Sequence, residues 1–445
     1  MILNHEDTKS RRKYKAYPSY KDSGVAWLGS VPSHWSSVRF KRVLFEKKKT
    51  LNPNLEAGSI SFGRVIYKNS ENLALETKES YQEVLEGEFL INPLNMNYDL
   101  LSLRTALSSI NVVVSTGYIV VKNDECLDKR YVRWLLQEFD VAHMKTLGSG
   151  VRQTINYTDI GNSFFFEPLL EEQKKIANFL DHETAKIDLL IEKQQQLIQL
   201  LKEKRQAVIS HAVTKGLNPK TPMKDSGVEW LGEVPEHWEM VPLKYLCKFS
   251  GGGTPSKDNL EYWTGGDIPW VSPKDMKTFW VSDTQDKLTK KAVDESSTNF
   301  VEEGALLMVV RSGILQRTIP IAINTVRVTL NQDMKALKFN SRMNVEYVAN
   351  FILGFVGSLL LEWSKEGATV ESIEQEYLSN SLFPVPTIEE QLNVNKVVNE
   401  QMTIFQNIEE RTVRGIALLK ERRTALISAA VTGKIDVRDW QAPKG

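Results

Sequence analysis

Lys47, Lys49, Arg64, Asn95, Asn97 and Arg104 stand in loop-like stretches of the first half of the chain, and Thr254, Ser256, Lys257, Lys274, Arg311 and Arg317 stand in such stretches of the second. Their amides, hydroxyls and cations suit donation to phosphate oxygens or to base edges. Residues 1–50 hold twelve Lys or Arg against four Asp or Glu, and Arg39, Lys41, Arg42, Lys47, Lys48 and Lys49 cluster among Phe40 and Phe45. Such a run either tracks a phosphate backbone or forms a solvated face. Gly251-Gly252-Gly253 leads into Thr254-Pro255-Ser256-Lys257. The glycines permit close backbone approach, to a ligand or within a plain turn.

Catalytic constellations are harder to find. Asn92-Pro93-Leu94-Asn95 lacks the second proline and the aromatic residue of an adenine-methylating motif, and no G-x(4)-GK-[ST] phosphate loop occurs. The six histidines are scattered. His34 and His237 occupy equivalent places beside Trp35 and Trp238, which suggests packing or subunit contact. No metal site and no cofactor are expected, and the chain reads as non-catalytic. Cys126 and Cys247 are the two cysteines, too few for a disulfide framework or a four-cysteine zinc site. Lys plus Arg equals Asp plus Glu at 56 each, so a uniformly basic coat is excluded while a local basic face is not. Residues 1–14 lack the apolar core of a signal peptide, and the most apolar stretch, 351–363, is too short to span a bilayer. A reducing, cytoplasmic setting with no membrane contact is expected.

The elements that must position these residues occur twice. KDSGVAWLGSVPSHW at 21–35 returns as KDSGVEWLGEVPEHW at 224–238, with twelve of fifteen positions identical. LLKEKRQAVISHAVT at 200–214 returns as LLKERRTALISAAVT at 418–432, with eleven of fifteen identical. Glu171-Glu172-Gln173 returns as Glu389-Glu390-Gln391, preceded by Pro168 and Pro386, and Tyr131-Val132 and Phe139 return as Tyr347-Val348 and Phe355. The chain therefore contains two copies of one module: an opening segment, a body, and a long helix.

The segment 171–213 has no Pro or Gly, and Ile176, Leu180, Ile187, Leu190, Leu197, Leu201 and Val208 trace a heptad seam. The second seam is Val394, Val398, Phe405, Ile408, Ile416, Leu419 and Leu426. A helix of about 43 residues is roughly 65 Å long. Two such helices in one chain are expected to pack antiparallel as an internal coiled coil. Gly415 inside the second is read as a close helix approach. Asn111–Thr116, Tyr118–Lys122 and Ala322–Leu330 read as strands, and Tyr131–His143 and Val345–Trp363 as helices. The second body is longer by about fifteen residues, the addition falling in the half that holds GGGTPSKDNLEYWTGGDIPW at 251–270. So the frames match while the bodies diverge.

The duplicated GV-x-WLG-x-VP-x-HW block, the P-(x2)-EEQ helix starts and the LLKE-x-R ends resemble the specificity subunits of type I restriction–modification systems. The run from Gly251 to Val271 is similar to a frequent opening of that family's target recognition domains; the first body has KKKTLNP, Lys47 to Pro53, in its place. The resemblance implies an α+β chain with two mixed α/β recognition domains, two long antiparallel coiled-coil helices and an internal pseudo-two-fold repeat. The expected boundaries are an N-terminal segment at 1–35, recognition domains at 36–168 and 239–386, spacer helices at 169–215 and 387–433, a linker at 216–238 and a tail at 434–445. It further implies that each domain reads half of a split site in double-stranded DNA, that the helices set the gap and dock two modification subunits, and that restriction subunits join through those. Trp27, Trp35, Trp230 and Trp238 are expected at the docking surface. A helix of this length would suit bodies placed about one duplex turn, roughly 34 Å, apart. Three other readings stay open: a catalytic fusion, a coiled-coil adaptor that binds only protein, and a single-chain DNA-binding regulator.

Overall fold

The computed structural model describes residues 14–69, 74–94, 103–147, 154–364 and 371–443. The contacts divide the chain into two units, one drawn from 1–194 with 414–445 and the other from 195–413. The long helices Leu170–Lys215 and Ile388–Val431 run through both, 46 and 44 residues long.

The first unit is built on a mixed six-stranded sheet. Its order is Leu44–Glu46, Ile119–Asn123, Phe89–Ile91, Thr105–Leu107, Arg64–Tyr67 and Gly58–Ser61. Side chains alternate across a strand, and both faces here are covered. Phe89 and Ile91 enter one core with Tyr131, Phe139, Ile176 and Leu180, while Leu90 between them enters a second with Val112 and Val120. The second unit repeats the plan with different sheets. One has five strands, Cys247–Gly251, Met334–Phe339, Leu306–Val309, Ile321–Asn324 and Trp280–Val281; the other has four, Asp286–Leu288, Ile268–Val271, Val328–Leu330 and Phe300–Val301. Leu306 and Met308 face the core that holds Tyr347 and Phe351, and Leu307 and Val309 face another.

The recurring sequence blocks make recurring bonds. In the first unit Trp35 Nε1 donates to Glu172 at 3.0 Å and His34 Nε2 lies 2.8 Å from the same carboxylate. In the second, Trp238 Nε1 donates to Glu390 at 3.4 Å and His237 Nε2 lies at 2.7 Å. Gln173 donates to Pro168 O and accepts from Asp128 N, each at 2.9 Å. Gln391 does the same with Pro386 O at 2.9 Å and Asn344 N at 2.7 Å. These glutamine contacts tie each long helix to the N-terminus of the body helix, Lys129–Ala142 or Val345–Gly354, whose cap is Asp128 or Asn344. The strand pairs 36–39 with 164–167 and 239–242 with 382–385 close each body at its base. Each long helix is followed by a glycine with positive φ, Gly216 or Gly433. A Cβ on either would press on the Trp238 or Trp35 ring, at 3.3 and 3.1 Å.

Within each unit the helices run antiparallel, Arg423 pairing with Asp188 in the first and Arg205 with Glu409 in the second. The expected seam is covered unevenly. Ile176, Leu180, Ile187, Val394, Val398, Phe405 and Leu426 are buried, but Leu190, Leu197 and Ile408 are exposed. Gly415 is not a close approach: a Cβ there meets nothing within 4 Å. The helix expected over Val345–Trp363 is two, Val345–Gly354 and Val356–Trp363, bent by 89°. Gln206 donates to the carbonyls of Leu353 and Gly354, so the turn can break without orphaning them. The strand expected over Ala322–Leu330 is likewise two, Ile321–Asn324 and Val328–Leu330, in different sheets. No single helix among the described residues is long and apolar enough to cross a membrane.

Candidate nucleic-acid interface

Seven of the twelve proposed DNA-facing residues present their side chains to solvent: Lys49, Arg64, Ser256, Lys257, Lys274, Arg311 and Arg317. Arg64 begins a strand that leaves the Phe62-Gly63 hairpin tip. Lys49 reaches Thr116 O at 3.3 Å. Arg311 and Arg317 flank the short 3-10 turn Gly313–Gln316, which Ser312 caps. Lys274 is ion-paired to Asp286 at 2.5 Å, and Thr254 Oγ1 donates to Gln332.

Two residues are withdrawn by their surroundings. Lys47 is enclosed, its side chain 10% exposed, with Glu83 at 3.0 Å and Glu88 at 2.9 Å. Asn52 and Lys47 together hold the Glu83 carboxyl below its ordinary value. A lysine spent on two carboxylates has no charge left for a phosphate. Arg104 is 6% exposed, its guanidinium donates to Leu94 O, and its backbone N–H donates to Asp140 at 2.5 Å. Asn95 and Asn97 lie outside the described residues.

Of the four tryptophans, two are buried and two are half-buried. Trp35 and Trp238 are each 1% exposed, held inside by the Glu172 and Glu390 bonds. Trp27 packs on Phe139 and stacks on His143, and Trp230 donates to Glu362 at 2.9 Å and packs on Phe355. Trp35 and Trp238 therefore have no face for a partner, whereas Trp27 and Trp230 keep an accessible edge.

The glycine-rich loop is a packing device with an exposed end. A Cβ on Gly252 would collide with the carbonyls of Leu330 and Asn331. Gly253 O accepts from Trp270 Nε1 at 3.0 Å and from Thr298 Oγ1 at 2.7 Å. The loop is thereby pinned to the four-stranded sheet, with Ser256 and Lys257 beyond it in solvent. Lys41, one of the basic cluster, makes a frame contact to Asn162 at 2.9 Å that Lys244 repeats with Asn380 at 2.8 Å.

The structure adds residues that composition hid. Phe62 is 82% exposed at a non-glycine positive φ, at the hairpin tip that Arg64 leaves. A Phe-Gly pair between two β-branched runs was the available signal. Gln332, bonded to Thr254, places an amide beside the glycine-rich loop. Among the described residues no group of three or more His, Cys, Asp or Glu is arranged to hold a metal ion.

Residues 235–412 match the family described as the type I restriction modification DNA specificity domain. The chain is 36% identical over 201 residues to the type I restriction enzyme EcoR124I/EcoR124II specificity subunit of Escherichia coli, covering 45% of this chain and 47% of that one. The match thus spans about half that relative's length. The putative type I restriction enzyme MjaX specificity subunit of Methanocaldococcus jannaschii is 24% identical over 441 residues, covering 92% of this chain and 96% of that one. Two solved structures share the fold. One, from a study of complex assembly and conformational transition in a type I R-M system, has a TM-score of 0.64 at 15% identity and covers 90% of this chain and 98% of its own. The other, the HsdS subunit from Thermoanaerobacter tengcongensis, has a TM-score of 0.54 at 16% identity and covers 91% and 98%. With its duplicated frame and paired long helices, the chain is similar to type I restriction–modification specificity subunits, and residues 235–412 match that family's DNA specificity domain.

Proposed function

We propose that this chain selects the DNA sequence for a type I restriction–modification complex in the cytoplasm, without performing chemistry itself. Residues 36–168 and 239–386 are its two target recognition domains, each reading one half of a bipartite, asymmetric site. The observation that carries this is one frame built twice around unlike bodies. The Trp–Glu–His and Gln–Pro locks recur, while one body holds a six-stranded sheet and the other a five- and a four-stranded sheet. A scaffold kept constant around divergent inserts suits a pair of readers with different targets.

Lys49 and Arg64 in the first body, and Ser256, Lys257, Arg311 and Arg317 in the second, are the side chains free to meet DNA. Cations among them add affinity whatever the sequence, and an arginine on a guanine edge adds specificity. The long helices set the unspecified gap. Each unit exposes apolar side chains on its long helices, Leu189, Leu190 and Leu418 in the first and Leu200, Ile404 and Val413 in the second, which supports the reading that the helices dock two modification subunits. Restriction subunits join through those.

Selection of random duplexes by the chain together with its modification subunits tests this reading. The enriched sequences should hold two fixed blocks separated by a constant number of unspecified pairs. A single block, two blocks at variable spacing, or no enrichment would overturn it.

A further inference from the structure

The first unit contains a cavity of about 570 Å³ that shares only Arg64 with the DNA-facing residues named above. It lies between the tip of the Ser61–Arg64 hairpin, the body helix Lys129–Ala142 and the paired long helices. Phe62, Ile66 and Leu103 form an apolar side. Arg64, Arg133, Lys420 and Arg423 line the rest, with Glu138 and Asp188.

The charges do not balance locally. Asp188 is committed to Arg423, whose Nε and Nη2 donate to it at 2.8 and 3.4 Å. Glu138 is 6% exposed, accepts from Ser428 at 2.7 Å, and is pushed above its ordinary value by burial. Arg64, Arg133 and Lys420 make no side-chain ion pair or hydrogen bond among the described residues. Arg133 and Arg423 share the Trp134 ring, at 4.4 and 5.8 Å from its centroid. Burial pulls the Arg133 guanidinium below its ordinary value, Asp181 opposes this, and Arg423 and Arg64 add to it. Gathering like charges at a partly desolvated site is unfavourable unless an anion joins them.

The duplicated module supplies an internal comparison. By the repeat, Arg133 corresponds to Ala349, Glu138 to Gly354 and Ser428 to Ser210. In the second unit Gly354 lies directly against the long helix, where a Cβ would come 3.2 Å from Ser210 Cα, and Gln206 seals the adjoining carbonyls. Lys420 and Arg423 have counterparts in Lys202 and Arg205, so the second unit keeps the helix cations and lacks the body helix's Arg133 and Glu138 at this place. The hairpin tip adds cost: Phe62 holds φ of 47° with its ring in solvent at the cavity's edge. Backbone strain at such a position is typical of ligand clamps.

We infer that this cavity binds a phosphorylated nucleoside, its phosphate held by Arg64, Arg133 and Lys420 and its ring against Phe62, Ile66 and Leu103. Three unpaired cations call for more negative charge than one carboxylate carries, and guanidinium groups match phosphate oxygens in pairs. Glu138 and the Gln137 amide are the acceptors available to ribose hydroxyls or ring amines. The volume falls in the usual range for a small-molecule site, about 300–1,000 Å³. Arg64 is shared with the recognition surface proposed above, whereas Arg133 and Lys420 are not, so Arg133→Gln tests this site apart from that reading.

Isothermal titration of the full chain with adenosine monophosphate, inorganic phosphate and adenosine tests it. The monophosphate should bind saturably and at least about tenfold more tightly than phosphate or adenosine alone, and Arg133→Gln should weaken it by at least about tenfold. If Arg133→Gln fails to fold, Arg64→Gln and Lys420→Gln, both at exposed positions, should weaken it in the same direction. No saturable binding up to millimolar monophosphate, phosphate binding as tight as the monophosphate, or binding untouched by these variants would overturn the inference. A competing short duplex identifies the source. Blocked monophosphate binding assigns the site to a nucleotide of the DNA strand, and simultaneous binding assigns it to a free nucleotide.

Discussion

Replacing Glu172 with Ala should cost the first unit about 2–4 kcal/mol, whereas Glu172→Gln should cost about 1 kcal/mol or less. The magnitude follows from which partner is buried. Trp35 is 1% exposed and its Nε1 donates to Glu172 Oε1 at 3.0 Å. Alanine orphans that indole N–H inside the core, at about 1–3 kcal/mol, and leaves a small void besides. The other contact, to His34, contributes less, because the His34 side chain is 38% exposed and an exposed ion pair is worth about 0–1 kcal/mol. Glutamine keeps an acceptor for Trp35 and offers an amide N–H to the imidazole, so it loses mainly the charge. Urea unfolding followed by tryptophan fluorescence measures both variants. Glu390→Ala, made in the second unit, marks which transition belongs to which half. Glu172→Ala and Glu172→Gln within about 0.5 kcal/mol of each other would refute the reasoning, since the buried bond would then hold nothing.

Gly415→Ala should stabilise the isolated chain by about 1 kcal/mol, because a Cβ there meets only open space and alanine is the better helix former; thermal unfolding checks it. Gly252→Ala should destabilise the second unit by about 1–3 kcal/mol or prevent its folding, since the added methyl collides with two backbone carbonyls that cannot swing away. Asp140 is buried and its carboxyl is pushed up to about 6 by burial, with Arg104 partly opposing. The folded chain therefore binds this proton more tightly than the unfolded chain, and its stability falls as pH rises from about 4 through 6. Asp140→Asn should be more stable than the parent at pH 7 by about 1–3 kcal/mol, with the difference vanishing toward pH 4; urea midpoints across that range give the answer.

The frame was legible because its bonds are made by side chains that must recur for the geometry to recur. A buried indole needs its carboxylate, so Trp35 with Glu172 and Trp238 with Glu390 repeat together, and the glutamine after each glutamate repeats with them. The long helices were legible from segments almost free of Gly and Pro and from their apolar spacing. Coverage of that seam was not, because what buries Ile176 or Val394 is a body distant in sequence, and nothing local distinguishes them from the exposed Leu190. The candidate DNA contacts were only half legible for the same reason. Lys47 and Lys49 sit in one basic run, yet Lys47 is captured by carboxylates 36 and 41 residues away while Lys49 stays outside. The break after Gly354 likewise depends on Gln206, on another element.

The most direct measurement is of modular reading. In cells supplying the modification subunits, residues 239–386 would be exchanged for the corresponding body of a related chain, and methylated adenines would be mapped by single-molecule sequencing. The predicted result is a new sequence in one half of the methylated site, with the other half and the gap unchanged. A change in both halves, or the original site retained intact, would contradict the assignment of one reader to each body.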